Sequence, residues 1–192
     1  MTPPAAGRQT GHAIDQAGVP ALVERAKACD HDAWEALYQR GYPQLSAYAA
    51  RRLDPDRARD AVAETMARAV AKIKMYEGHG AGGFDGWLFG ILRHVVIDAH
   101  RAARRDREGP PVLRPIAPAG PLDNVLEQEE ADEVRAAFAT LAPDDQEVLE
   151  LRVVAGLSSE EVAAVLGKRP GAIRMAQSRA LERLQRRLKE RV

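Results

Sequence analysis

The sequence predicts an all-α protein of two small helical domains joined by a Pro-rich linker, the C-terminal one a helix-turn-helix. Three observations predict it. Aromatics make up 5% of the 192 residues, Ala and Arg are abundant, and no alternating β-branched run appears. Residues 106–122, DREGPPVLRPIAPAGPL, hold five prolines without a hydrophobic period, as an extended and partly stiff linker does. Leu157 to Leu188 carries the punctuation of a short helix, a tight turn and a longer helix.

Residues 1–20 are rich in Gly, Pro and Ala and read as a disordered tail. The first domain, 21–105, opens with a short helix over Ala21 to Ala28. Asp30 or Asp32 caps a longer helix with Trp34, Leu37, Tyr38, Leu45, Tyr48 and Ala49 as its apolar stripe. Pro43 inside that run is a potential kink. Cys29, beside the capping Asp, reads as a half-buried small residue.

Asp54-Pro55-Asp56 starts a helix running to about Met75. Val62, Met66, Ala69, Val70 and Ile73 are expected inside. Arg57, Arg59, Asp60, Glu64, Arg68 and Lys72 form a charged outer face open to a partner. Tyr76 to Gly83, with four glycines in eight residues, is a loop, either a plain connector or one whose backbone approaches a ligand.

Phe84 to Arg105 is a helix with Asp85 as its cap and Trp87, Leu88, Ile91, Leu92, Val95 and Val96 as a dense apolar face. Arg101, Arg104, Arg105 and Arg107 follow. Aromatics followed by basic residues suit single-stranded nucleic acid, where bases stack and phosphates pair. The same pattern also suits a core helix with Arg in its last turn.

The second domain, 123–192, starts with Asp123 capping a helix to about Thr140, with Val125, Val134, Ala137, Phe138 and Leu141 inward. Pro143 opens the next helix, with Val148, Leu149, Leu151 and Val153 as its apolar set and Gly156 as its stop. Ser158 with Glu161 forms a capping box for the short helix that follows. Val162, Val165 and Leu166 share one face of it, and Gly167 ends it. Pro170 begins the last helix, whose Ile173, Ala176, Ala180, Leu184 and Leu188 repeat at three- to four-residue spacing. Arg174, Gln177, Ser178 and Arg179 share its outward side, as in a reading helix.

Net charge is zero, with 28 basic and 28 acidic residues, but it is unevenly spread. Lys168 to Val192 holds nine basic residues against two acidic ones, whereas Leu126 to Glu161 is strongly acidic. A chain neutral on average but basic along one helix has a local phosphate-binding surface. One cysteine excludes an internal disulfide and any multi-Cys zinc site. No apolar run approaches a membrane span of roughly 18 residues, and no signal-peptide core is present, so a soluble cytoplasmic protein is expected. There is no Gly-rich phosphate loop, no GxSxG and no HExxH. Asp60 and Glu64 form an i,i+4 carboxylate pair flanked by Arg57, Arg59 and Arg68, as on a solvated or partner-binding face. No catalytic site, metal or cofactor is expected.

Three segments occur in a telling order: ARDAVAETMARAVAKI (Ala58 to Ile73), FDGWLFGILRHVVIDAHRAARR from Phe84, and LAPDDQEVLELRVVAGLSSEEVAAVLGKRPGAIRMAQSRALERL from Leu141. Together they resemble an extracytoplasmic-function (group IV) sigma factor of the sigma-70 family, over about Asp30 to Leu188. The resemblance implies a two-domain initiation factor that joins core RNA polymerase and directs it to promoters. The first domain would be region 2-like and hold the polymerase clamp through the helix carrying Arg57, Asp60, Glu64 and Arg68. It would also open the −10 element, with His79, Trp87, Arg93, His94, Arg101, Arg104 and Arg105 on the melted strand. The second, region 4-like domain would read duplex −35 DNA through Lys168, Arg169, Arg174, Gln177, Ser178 and Arg179. An anti-sigma protein is the implied regulator. The chain differs from common members at Ala63, His94 and Met175-Ala176, where the family often has Gln, Asn and Ser-Arg.

Overall fold

The structure is a computed structural model that describes residues 18–78, 82–106 and 133–190. Eight helices follow in chain order among the described residues: α1 (Val19–Lys27), α2 (His31–Ala50), α3 (Pro55–Lys72), α4 (Gly83–Asp106), α5 (133–139), α6 (Pro143–Leu149), α7 (Ser159–Leu166) and α8 (Pro170–Lys189). No strand occurs among the described residues. The tail through residue 17, the linker from residue 107 on and the onset of the Asp123 helix lie outside them.

Local chemistry places most helix starts. Asp30 accepts from the Ala33 N–H at 3.1 Å, and Asp54 accepts from the Arg57 N–H at 3.0 Å, so each satisfies a first-turn donor that has no intrahelical partner. α1 begins at Val19, two residues earlier than the sequence indicates, because Pro20 fits a first turn. α2 continues through Pro43. After α3 a 3₁₀ turn, Ile73–Met75, tightens the chain before the glycine loop.

The first domain packs α1 on α2, α2 on α3 and α3 on α4. Leu37, Leu45, Tyr48, Val62, Ala69, Leu88 and Leu92 fill its centre. That core does not stop at the domain boundary. Val148, Leu151, Leu157, Val162 and Ile173 of the second domain belong to the same continuous cluster, and α7 packs directly on α4. A smaller cluster of Leu141, Leu149 and Ala180, with Phe138 and Leu184 against it, ties α5 and α6 to α8.

Several expectations are corrected. Val70 is 54% exposed, because the inward positions of the Ala-rich α3 are taken by Ala58, Ala61, Val62, Met66 and Ala69. Val134 is exposed, and the buried face of α5 begins at Ala137. Val153 is 64% exposed because Glu150–Val154 is a π turn, closed by the Ala155 N–H donating to Glu150 O at 2.9 Å. Its wider winding rotates Val153 outward and turns Ala155 inward, a phase that a 3.6-residue period cannot give. Cys29 is exposed and left-handed (φ 64°) at the α1–α2 corner, where the chain must reverse. Asp85 is not a cap: α4 starts two residues before it, and its carboxylate pairs with Arg40 of α2.

Candidate nucleic-acid interface

The helix-turn-helix is assembled by three local devices. Ser158 Oγ accepts from the Glu161 N–H at 3.1 Å while the Glu161 carboxylate accepts from the Ser158 N–H at 2.6 Å. Gly167 ends α7 in the left-handed conformation (φ 64°, ψ 31°), and the Lys168 N–H donates to Ala163 O at 2.9 Å. Pro170 starts α8, and Ile173 and Ala180, both fully buried, fix which side of α8 faces outward.

Arg169, Arg174, Ser178 and Arg179 are exposed on that outward side, and Gln177 is half-buried. Acidic neighbours hold part of the basic face. Arg174 donates to Glu160 at 3.1 Å, and Lys168 donates to Asp144 at 3.1 Å. Further along α8, Arg183 pairs with Asp145. The Gln177 side-chain oxygen accepts from Arg152 Nε at 2.9 Å, which orients its amide. The Arg174 and Lys168 pairs are solvent-accessible and weak, about 0–1 kcal/mol each, so phosphates can exchange for their carboxylates, whereas Asp145 is buried.

A cleft of about 980 Å³ lies between α3 and α4 of the first domain and α7 of the second, lined by Arg68, Lys72, Tyr76, Trp87, His94 and Ala164 among others. Trp87 forms its aromatic wall with Tyr76, ring centroids 5.0 Å apart, and the buried Phe84 packs behind Trp87 at 5.6 Å. His94 is exposed, its Nδ1 2.7 Å from Gly90 O, which leaves Nε2 for a ligand. Tyr76, from the loop that the resemblance assigns to the melted strand, and Lys72, expected on the charged outer face of α3, complete a surface with both a stacking wall and cations. Arg101 is exposed and lies 3.6 Å from Asp98. His79 and the side chains of Arg104 and Arg105 lie outside what the structure describes.

Arg93 is separated from this group. Its Nε donates to Glu147 of α6 at 2.9 Å, and the Tyr48 hydroxyl reaches the same carboxylate oxygen at 3.4 Å. Nearby, Glu150 pairs with Arg52 and lies 3.6 Å from Arg51. Arg52 stacks 3.6 Å from the centre of the Tyr48 ring. Burial pushes the Tyr48 hydroxyl up to about 12. Burial also raises the Glu150 carboxyl, against the pull of Arg52 and Arg51. Only the abundance of acid in 126–161 hinted at this cross-domain cluster.

The outer face of α3 presents Arg57, Arg59, Asp60 and Glu64, with Arg68 half-buried at the edge of the cleft. Local pairs join Glu64 to Arg68 at 2.7 Å and Asp56 to Arg59. This is a solvated, mixed-charge surface. No cluster of three or more potential metal ligands occurs among the described residues. No described helix is long and apolar enough to cross a membrane.

Comparison with known proteins matches residues 37–106 to Sigma-70 region 2 and residues 131–184 to Sigma-70, region 4. The chain is 36% identical to the ECF RNA polymerase sigma factor SigD of Mycobacterium tuberculosis (strain ATCC 25618 / H37Rv), covering 85% of this chain and 81% of that one. It is 34% identical to the ECF RNA polymerase sigma factor ShbA of Streptomyces griseus, over 86% of this chain and 93% of the relative. Among solved structures it resembles the sigma factor RpoE in complex with the anti-sigma factor NepR from Bartonella quintana (30% identity, TM-score 0.63, 81% of this chain and 96% of that one). It shares the fold of CnrH, solved with the cytosolic domain of CnrY (23% identity, TM-score 0.64, 88% and 96% covered).

Proposed function

The chain belongs to the extracytoplasmic-function sigma factors of the sigma-70 family, and we propose how its residues divide the work of promoter-directed initiation. The observation that carries the reading is the presence in one chain of two different nucleic-acid surfaces. One is an exposed basic helix, α8, held by a helix-turn-helix; the other is a cleft with an aromatic wall and cations on α3 and α4.

α8 enters the major groove of the −35 element. Arg174 and Gln177 reach base edges, Ser178 assists, and Lys168, Arg169 and Arg179 neutralise phosphates. Trp87, His94 and Arg101 serve the melted −10 strand: an unstacked base rests against the aromatic wall while cations take the backbone. Arg104, Arg105 and His79 belong to the same strand surface, whereas Arg93, paired with Glu147, stands apart from it. Arg57, Asp60, Glu64 and Arg68 on α3 dock on the clamp of core polymerase. The chain carries out no chemistry of its own, works in the cytoplasm with polymerase, and is held inactive by an anti-sigma protein. The relative solved with NepR, at 30% identity, supports that last point.

The test is reconstitution with sigma-free bacterial core polymerase, followed by transcription from a genomic fragment library. Discrete new start sites sharing a pair of upstream elements are expected. A protein that shifts duplex DNA alone, yet neither binds core nor yields transcripts, would overturn the reading.

A further inference from the structure

Met175 is a large apolar side chain left 63% exposed on α8. The helix packs through Ile173 and Ala180, both fully buried. With 3.6 residues per turn, Met175 points about 160° round the helix from Ile173 and about 140° from Ala180. It therefore projects from the side opposite the packed one. It is also the sixth of the 20 residues of α8, and the early residues of a recognition helix are those that meet base edges. Leu181, the other exposed large apolar side chain of α8, is 38% exposed and lies about 80° from Ile173, towards the packed side.

The neighbours of Met175 set its height. Gly171 and Ala172 stand one turn back and Ser178 one turn on, and all three are exposed. A Cβ added at Gly171 would meet nothing within 4 Å, so no other described part of the chain covers this ground. With small residues on three sides, Met175 reaches furthest along the central line of the outward face at this end of α8. Arg174 and Arg179, both exposed, lie to either side of that line, as cations that meet the phosphates bordering a groove do.

The chemistry of a thioether limits what it can read. Met carries no N–H or O–H donor, and its sulfur is a weak acceptor. In the major groove guanine, adenine and cytosine present acceptors and amino donors, whereas thymine adds an apolar C5-methyl. A polar base edge beneath Met175 would lose water without gaining a partner. A thymine methyl would instead lose apolar area to a flexible, polarizable side chain that fits itself to it.

We propose that Met175 is a specificity-determining residue that packs on the C5-methyl of a thymine in the duplex element read by α8. This rests on the assignment of α8 to duplex −35 DNA made above.

The test uses this chain assembled with sigma-free core polymerase on a promoter fragment recovered from the genomic library. Each thymine of the upstream element is replaced singly by deoxyuridine, which removes the methyl and leaves the hydrogen-bonding groups in place. Burial of one methyl corresponds to about a fourfold change in affinity, so one replacement should weaken binding by about that factor. Met175→Ser should bind the thymine and uracil fragments equally while still assembling with core polymerase. Arg174→Ala, which leaves Met175 in place, should keep the discrimination. An upstream element without thymine, or discrimination that survives Met175→Ser, overturns the proposal. Loss of core assembly by Met175→Ser also overturns it and puts Met175 on a protein contact. Scrambling the whole upstream element without effect overturns the assignment of α8 itself. An effect of scrambling with none from any uracil overturns the role of Met175 alone, so the two failures are distinguishable.

Discussion

Glu147 on α6 and Arg93 on α4 are joined at 2.9 Å across 54 residues of chain, and the same carboxylate oxygen lies 3.4 Å from the Tyr48 hydroxyl of α2. One acidic side chain of the second domain thus meets two helices of the first. Its neighbour Glu150 is far more buried but gains less from its charge, because burial opposes ionisation more strongly than Arg52 and Arg51 favour it.

Removal of the first contact is expected to weaken the domain interface. Glu147→Ala should lower the unfolding free energy in urea by about 1 kcal/mol, since both partners remain partly solvated and the attraction is screened. An unchanged midpoint would show that the pair contributes nothing net.

Glu150 should behave in the opposite sense. Its folded pKa lies above the ordinary value of 4.5, so its contribution to stability is full below that value and is lost as pH rises through the folded pKa. Glu150→Gln is therefore expected to keep or raise stability at pH 7 and to flatten the decline between about pH 4 and neutrality. Urea titrations across that range provide the check; a less stable variant at pH 7 would contradict it.

Ile173 is fully buried and belongs to the cluster shared by both domains. Ile173→Ala should cost about 2–5 kcal/mol and displace α8 as a reader. Denaturant unfolding gives the cost. Initiation from promoters with a −35 element should fall more than binding to core polymerase.

Arg174→Ala leaves the packing of α8 intact, because the side chain is exposed and paired only with the solvated Glu160. Initiation that depends on −35 DNA should drop, consistent with about 1–3 kcal/mol for a lost base contact or a salt-dependence slope reduced by about 1 for a lost phosphate contact. Core binding should survive. Loss of both would count against the role given to α8.

The legible parts of this chain are those governed by chemistry within a few residues. Asp30, Asp54, Ser158 and Gly167 cap helices through groups at most four or five positions away, so their roles stand in the sequence. The stripe of Ile173, Ala180, Leu184 and Leu188 is equally local, and it predicts the outward side of α8. Val153 is not legible because a single π turn resets the phase that any periodicity must assume. Trp87 is foreseen as part of the strand surface, and Phe84, three residues before it on α4, is a local neighbour, but Tyr76 meets it only in the folded chain. Arg93 is read as free to meet DNA, whereas Glu147 takes it; no rule of spacing pairs residues on separate domains. The close seat of Glu161 on Gly86 is hidden for the same reason: glycines in a loop suggest a turn and do not name the helix that will fill the space.

The cluster running from Leu37 through Val162 to Ile173 bears on how this protein can be divided in the laboratory. Severing the chain between its halves parts α7 from α4 and leaves each fragment with apolar side chains of the shared cluster newly bared to water. Such patches promote self-association. Each fragment is expected to be less soluble than the whole, and co-expression of the two should restore solubility through reassembly.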